Sequence, residues 1–269
     1  QVGIAPEDTI GYVAVDKRRV VRLVVRHVFD CQGAGVGLGR ALARQFVADG
    51  NRVVLLGRTA AKVEAVAGEL GERAMAIGCD VSSPDSVRSA FAAIADKHNG
   101  LDVLINNAAI FEPFKIVNAS DEQILNAINT NLSGTMFCAR AALPLMERGG
   151  HIINVSSESV VVPLPHLSVY QSSKAGLEQF STDLLREVEP DGIRVTCVRA
   201  GAMYEEGKSW DVDMQSKIDF HQAAVAAGIN PAERPISQFN SLTGIFRMLI
   251  DLPADVQVAH INLHARVAD

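Results

Sequence analysis

Residues 20–29 read VVRLVVRHVF and residues 32–39 read QGAGVGLG. The first run is rich in β-branched residues, as strands are. The second carries glycines at 33, 35, 37 and 39 and opens a segment with Leu38, Leu42, Ala43 and Phe46 at helical spacing. A strand, a glycine-rich turn and a helix in that order give the local context of a dinucleotide cradle. One glycine permits the tight turn, another removes a Cβ that would hold the backbone away from a pyrophosphate, and the helix N-terminus offers unpaired N–H groups. A purely structural turn is the plain alternative.

The alternation continues outward from this unit. Arg52 to Leu56 is a nearly all-apolar strand, as expected of a strand covered on both faces. Ala60 to Leu70 reads as helix, Ala74 to Cys79 as strand, and Pro84 to His98 as helix with Ser83 as its cap. Leu101 to Ile105 is strand, 121–148 one long helix, His151 to Val155 strand, Ser168 to Val188 helix and Ile193 to Val198 strand. Residues 203–235 look irregular and polar. A helix at 238–251 and a strand at 256–263 close the chain. This pattern predicts a three-layer, doubly wound parallel α/β sheet of the Rossmann type in a single domain over 21–269. Residues 1–20 form an N-terminal arm, and 203–235 a lid over the substrate. In such sheets ligands sit beyond the carboxyl ends of the strands, where strand order reverses.

Composition sets limits on function. The chain has 269 residues, 48% hydrophobic and 21% charged, with net charge −6 and no long run of one sign. A nucleic-acid partner is disfavoured because no basic stripe exists; Lys17-Arg18-Arg19 is short. The four cysteines, Cys31, Cys79, Cys138 and Cys197, form no C-x-x-C pair, and no metal site is expected. No apolar run approaches the roughly 18 residues of a membrane helix. With no leader pattern seen, a cytoplasmic location is expected by exclusion.

Two further patterns point to chemistry. After the second strand comes Gly57-Arg58, where a carboxylate would select an unphosphorylated ribose. Arg58 could instead pair with a 2′-phosphate, which favours NADP(H) over NAD(H); an ordinary surface arginine is the alternative. Tyr170 and Lys174 lie four apart on one face of the predicted helix. A free phenol titrates near 10, and an ammonium beside it brings that value toward neutrality. Thirteen residues before the tyrosine, Ser157 follows a predicted strand and places a hydroxyl at the carboxyl edge of the sheet. Ser156 and Ser159 have the wrong spacing. Asn131 sits inside the long predicted helix, where asparagine is a poor helix former.

Taken together, these motifs resemble the short-chain dehydrogenase/reductase family. They are Gly33, Gly37 and Gly39, Asp80-Val81, Asn106-Asn107-Ala108-Ala109, Asn131, Ser157, Tyr170 with Lys174, and Ala200-Gly201, all in the family's order. The resemblance implies interconversion of an alcohol and a ketone or aldehyde with a nicotinamide cofactor. It implies Tyr170 as acid/base, Lys174 on the nicotinamide ribose, Ser157 on the substrate oxygen and Asn131 on a water linked to the lysine. Gly33, Gly37, Leu38, Gly39, Arg58, Asp80, Val81, Asn107, Ala108, Gly201 and Met203 become cofactor contacts. Partners are then a small carbonyl or alcohol substrate and further copies of the chain, as homodimer or homotetramer through 121–148 and 168–188. Reduction of an enoyl or carrier-bound acyl group, or cofactor binding without turnover, are the alternatives. Departures from the family pattern are Gln32 for threonine, Ala109 for glycine, Ala200 for proline, and no paired glycines in the last strand.

Overall fold

The computed structural model describes residues 22–28, 37–98, 100–204 and 212–266, with side chains omitted at 22–28 and 204. The N-terminal arm, Gly33 with the Asp30-Cys31-Gln32 entry, and Trp210 of the predicted lid lie outside the described residues. Seven parallel strands form the main sheet. They are β1 (Arg22–Val28), β2 (Arg52–Gly57), β3 (Ala74–Gly78), β4 (Val103–Ala109), β5 (His151–Ser157), β6 (Arg194–Ala200) and, last in the chain, β9 (His260–Leu263). Their order is β3-β2-β1-β4-β5-β6-β9. Connectivity reverses between β1 and β4, which opens a crevice at their carboxyl ends.

Helices cover both faces. They are α1 (Leu38–Ala48), α2 (Ala60–Leu70), α3 (Pro84–Lys97), α4 (Asp121–Ile128), α5 (Gly134–Ala142), α6 (Ser168–Val188), α7 (Met214–Ala226) and α8 (Phe239–Asp251). α1 packs on α8 and α2, whereas α3 packs on α5 and α4 on α6. The apolar runs of β2 and β4 are buried along their length, as the sequence pattern demands. Phe46, Phe239, Phe246, Leu38, Leu42, Leu55, Leu56 and Ile94 are the largest fully buried side chains. Ser83 caps α3 by accepting from the Ser86 N–H, and Pro84 takes the first turn, where its missing N–H costs nothing.

Three expectations are corrected. The single helix expected over 121–148 is α4, a π-helical turn at Asn129–Ser133, then α5 and a short 3₁₀ turn at Leu143–Leu145. Residues 203–235 are not wholly irregular. They contain the 13-residue helix α7, capped by Asp213, and β7 (Met203–Tyr204), which pairs with β8 (Ser237–Gln238). The fourth strand runs Val103–Ala109 rather than 101–105, so the Asn-Asn-Ala-Ala segment belongs to the strand itself.

Candidate functional site

The carboxyl ends of β4, β5 and β6 and the first two turns of α6 assemble the site. α6 begins at Ser168, which puts Tyr170 and Lys174 in its first and second turns with both side chains buried. The Lys174 ammonium lies 6.0 Å from the centre of the Tyr170 ring. It donates to the Val155 carbonyl at 2.8 Å. Burial of the ammonium pushes its pKa down to about 8, against the pull of the Glu178 carboxylate one turn further on.

Asn131 explains the π-turn. Its side chain is fully buried and closes a ring with the backbone of Ile110: the Ile110 N–H donates to Oδ1 at 2.7 Å, and Nδ2 donates to the Ile110 carbonyl at 3.0 Å. Nδ2 also donates to Ser173 Oγ, which in turn donates to the Tyr170 carbonyl. The local widening of the helix lets one asparagine join the end of β4 to the tyrosine's own turn, and such π-turns occur often at functional sites. Just beyond it, a Cβ on Gly134 would stand 2.7 Å from the Val81 carbonyl, so α5 can approach the Asp80–Val81 turn only with glycine there. That turn is held by Asp80 Oδ1, which accepts from the N–H and hydroxyl of Ser82.

Alternation along β5 sends Ser156 and Ser157 to opposite sides. Ser157 Oγ accepts from the Ser159 N–H at 3.2 Å and lies 3.0 Å from the Ser159 hydroxyl. Gln171 on α6 donates to the Ser159 and Val162 carbonyls, which ties the serine's loop to the tyrosine's helix. Phe114 N–H donates to the carbonyl of His166, a non-glycine residue at φ 63°. Leu164 packs toward Tyr170, while Val161 is 56% exposed.

Ser156 instead donates to Glu178 Oε1 at 2.7 Å. Arg199, paired in register with Ser156 across β5 and β6, forks onto both oxygens of the same carboxylate, at 2.9 and 2.5 Å. Burial opposes ionisation of Glu178, but the Arg199 and Ser156 hydrogen bonds outweigh it and hold the carboxyl below its ordinary pKa. Glu178 thus braces α6 to the strand ends beside Ser157 and beside Ala200, where the family's proline is missing. No sequence motif signals this brace. Ligand atoms of Cys197 and His260 also come within 4.8 Å of Glu178 and of each other, but the guanidinium on the carboxylate opposes a second cation there. Glu178→Gln is expected to cost about 1–3 kcal/mol of stability, the worth of a charge-assisted hydrogen bond in a half-buried pair. Urea unfolding with Arg199→Met as the second arm of a double-mutant cycle checks this; an unchanged midpoint would remove the brace.

The remaining described cofactor candidates lie at the start of α1 and at or beyond the carboxyl ends of β2, β4 and β6. Gly37, Leu38 and Gly39 start α1, whose N-terminus has no side-chain cap. Arg58 is exposed directly after β2. Both amide atoms of Asn107 are buried with no hydrogen-bond partner among the described residues, and Ala108 follows it on β4. Gly201 lies against the Leu263 carbonyl and Glu158, and the Met203 backbone is engaged with Ser237 in the β7–β8 ladder.

Residues 31–211 match the family model described as short chain dehydrogenase. The chain belongs to the short chain dehydrogenase family. Serine 3-dehydrogenase of Agrobacterium fabrum is 35% identical over 173 residues, covering 63% of this chain and 69% of that one. Carbonyl reductase family member 4 of Danio rerio is 34% identical over 176 residues, 65% of this chain and 74% of the relative. Among solved structures, a short chain dehydrogenase from Burkholderia cenocepacia J2315 in complex with NADP superposes with a TM-score of 0.72 at 25% identity. It covers 86% of this chain and 94% of its own. This short chain dehydrogenase is therefore an oxidoreductase built on a Rossmann-type fold, and the matched span contains every motif from the glycine loop to Ala200-Gly201.

Proposed function

We propose that the protein reduces a ketone or aldehyde to the alcohol, reversibly, with NADP(H) as cofactor. The observation that carries this reading is the buried set Asn131, Tyr170 and Lys174 linked across α4–α6, with Ser157 tied to the same helix through Gln171. When bound, the nicotinamide supplies or accepts the hydride. The residues of the chain handle the oxygen and its proton. Ser157 Oγ donates to the substrate oxygen and polarises the carbonyl. Tyr170 gives its phenolic proton to that oxygen as charge develops there, and takes it back in the oxidative direction. Lys174, charged and close to the ring, stabilises the phenolate left behind. Asn131 fixes the geometry of the tyrosine's turn, and orders the water that resupplies the proton.

The donors present fit a dinucleotide. The N-terminus of α1, which has no side-chain cap among the described residues, suits a pyrophosphate, and the Asn107 amide, without a hydrogen-bond partner among them, lies at the crevice where the adenosine half would pass. Asp80 and Val81 would border the adenine. Arg58 would pair with a 2′-phosphate, as the NADP complex of the Burkholderia relative encourages. Fluorescence titration with NADPH and NADH tests this: NADPH is expected to bind at least about tenfold tighter, and Arg58→Glu to reverse the order, by loss of one charged pair. Equal affinities in the wild type would contradict the assignment.

The name of the Danio rerio relative, a carbonyl reductase family member, supports a carbonyl substrate, and Ser157 favours carbonyl over enoyl reduction because its hydroxyl would donate to a carbonyl oxygen. Exposed Leu125 and Met136 on α4 and α5 support self-assembly through those helices. No helix among the described residues is long and apolar enough to cross a membrane.

A further inference from the structure

The surroundings of Tyr170 carry information about what the substrate must be. Phe111, two residues past β4, sets its ring edge-on to Tyr170, with centroids 4.8 Å apart and planes at 76°. Phe220, from α7, stands edge-on to Phe111 at 6.3 Å and 87°. Ala109 and Leu167 complete a buried apolar cluster, with Leu164 packed against it. Four separate elements therefore deliver apolar groups to one place. α7 contributes by turning Phe220 and Ala224, one helical turn apart, inward.

Charge reinforces the same conclusion. The residue after Ser157 is Glu158, a buried carboxylate. Arg234, from the segment after α7, pairs with it at 2.7 Å, and the His264 ring stands 3.8 Å from its other oxygen. The Arg234 guanidinium is thereby already paired with a carboxylate of the protein itself. The described side chains of the cluster, Ala109, Phe111, Leu164, Leu167 and Phe220, offer an incoming carboxylate no charged group to replace its hydration.

We infer that the site takes uncharged carbonyl compounds bearing an aryl or bulky alkyl group, with Phe220 as a specificity-determining residue, and discriminates against carboxylate-bearing substrates. The inference rests on the proposed reading that Tyr170 and Ser157 hold the substrate oxygen. It separates this protein from the substrate that the name of its Agrobacterium relative implies, since serine carries a carboxylate and an ammonium. The aryl group would lie against Phe111 and Phe220, in the edge-on geometry those rings already adopt.

The test compares 4-phenylbutan-2-one with 3-oxobutanoate as reduction substrates under saturating NADPH, and L-serine as an oxidation substrate under saturating NADP+. The expected kcat/KM for the phenyl ketone exceeds that for the anion by about 100-fold, and serine turns over at background. Phe220→Ala narrows the ratio about tenfold; Phe111→Leu, which keeps apolar volume, narrows it less. Saturation-transfer NMR on the Tyr170→Phe protein adds a readout without turnover: signals from the phenyl ring are expected, and none from 3-oxobutanoate. Preference for 3-oxobutanoate or serine, or a ratio unmoved by Phe220→Ala, overturns the inference and leaves Tyr170 chemistry standing. Turnover of no carbonyl with either cofactor overturns the underlying reading and this inference with it.

Discussion

Tyr170→Phe lowers turnover by about 100- to 10,000-fold, the range that a positioned general acid contributes. The substitution removes one hydroxyl and keeps the ring, so the edge-on contact with Phe111 and the packing against Leu164 and Leu167 survive. The fold and the cofactor crevice should be unaffected, because the ring keeps its apolar packing. NADPH binding, read by fluorescence, is expected to stay within about threefold of wild type, about 0.6 kcal/mol. Low activity together with lost NADPH binding would mean that the tyrosine serves structure instead. Near-normal activity would end its assignment as acid/base.

Lys174→Met has a comparably large effect for a different reason. Methionine preserves the length and apolar stem of the side chain but removes the ammonium, which leaves the Val155 carbonyl without its 2.8 Å donor. An unsatisfied buried acceptor costs about 1–3 kcal/mol. Removing the charge beside the phenol ring also withdraws support from the phenolate, so less of the tyrosine is ionised and able to act as base near pH 7. A loss of about 100-fold or more in kcat/KM for alcohol oxidation is expected at pH 7, with partial recovery at higher pH as hydroxide takes over the base's work. In the wild type, the Lys174 ammonium with its pKa near 8 loses charge as pH rises through that value, so cofactor-free protein should bind NADPH less well above it. Binding that stays flat from pH 6.5 to pH 9.5 would contradict a charged Lys174 as a cofactor contact.

The parallel sheet was legible in the sequence because interior strands of such sheets are apolar on both faces. α6 was legible to its ends, since Ser168 to Val188 keeps a helical stripe throughout. What escaped depended on contacts between distant residues. The π-turn at Asn129–Ser133 barely disturbs helical periodicity, and its cause, the pairing of Asn131 with the Ile110 backbone, spans 21 residues. α7 was missed because it has no single apolar face: Phe220 and Ala224 point inward while Met214, Ile218 and Val225 are exposed. Ser157, Tyr170 and Lys174 stood out by spacing, and Asn131 as a poor helix former inside a predicted helix. Phe111, Phe220 and Glu178 did not, because an aromatic or acidic side chain carries no signature until the fold gives it neighbours.

The most direct test of the account follows deuterium rather than absorbance. Purified protein is incubated with 4-phenylbutan-2-one and NADPH deuterated at C4 on one face, then on the other, and the alcohol is analysed by mass spectrometry. The account predicts deuterium on the carbinol carbon from one of the two labelled cofactors only, and its loss in Tyr170→Phe. Alcohol formed without deuterium from either, or formed equally by the Tyr170→Phe protein, would contradict it.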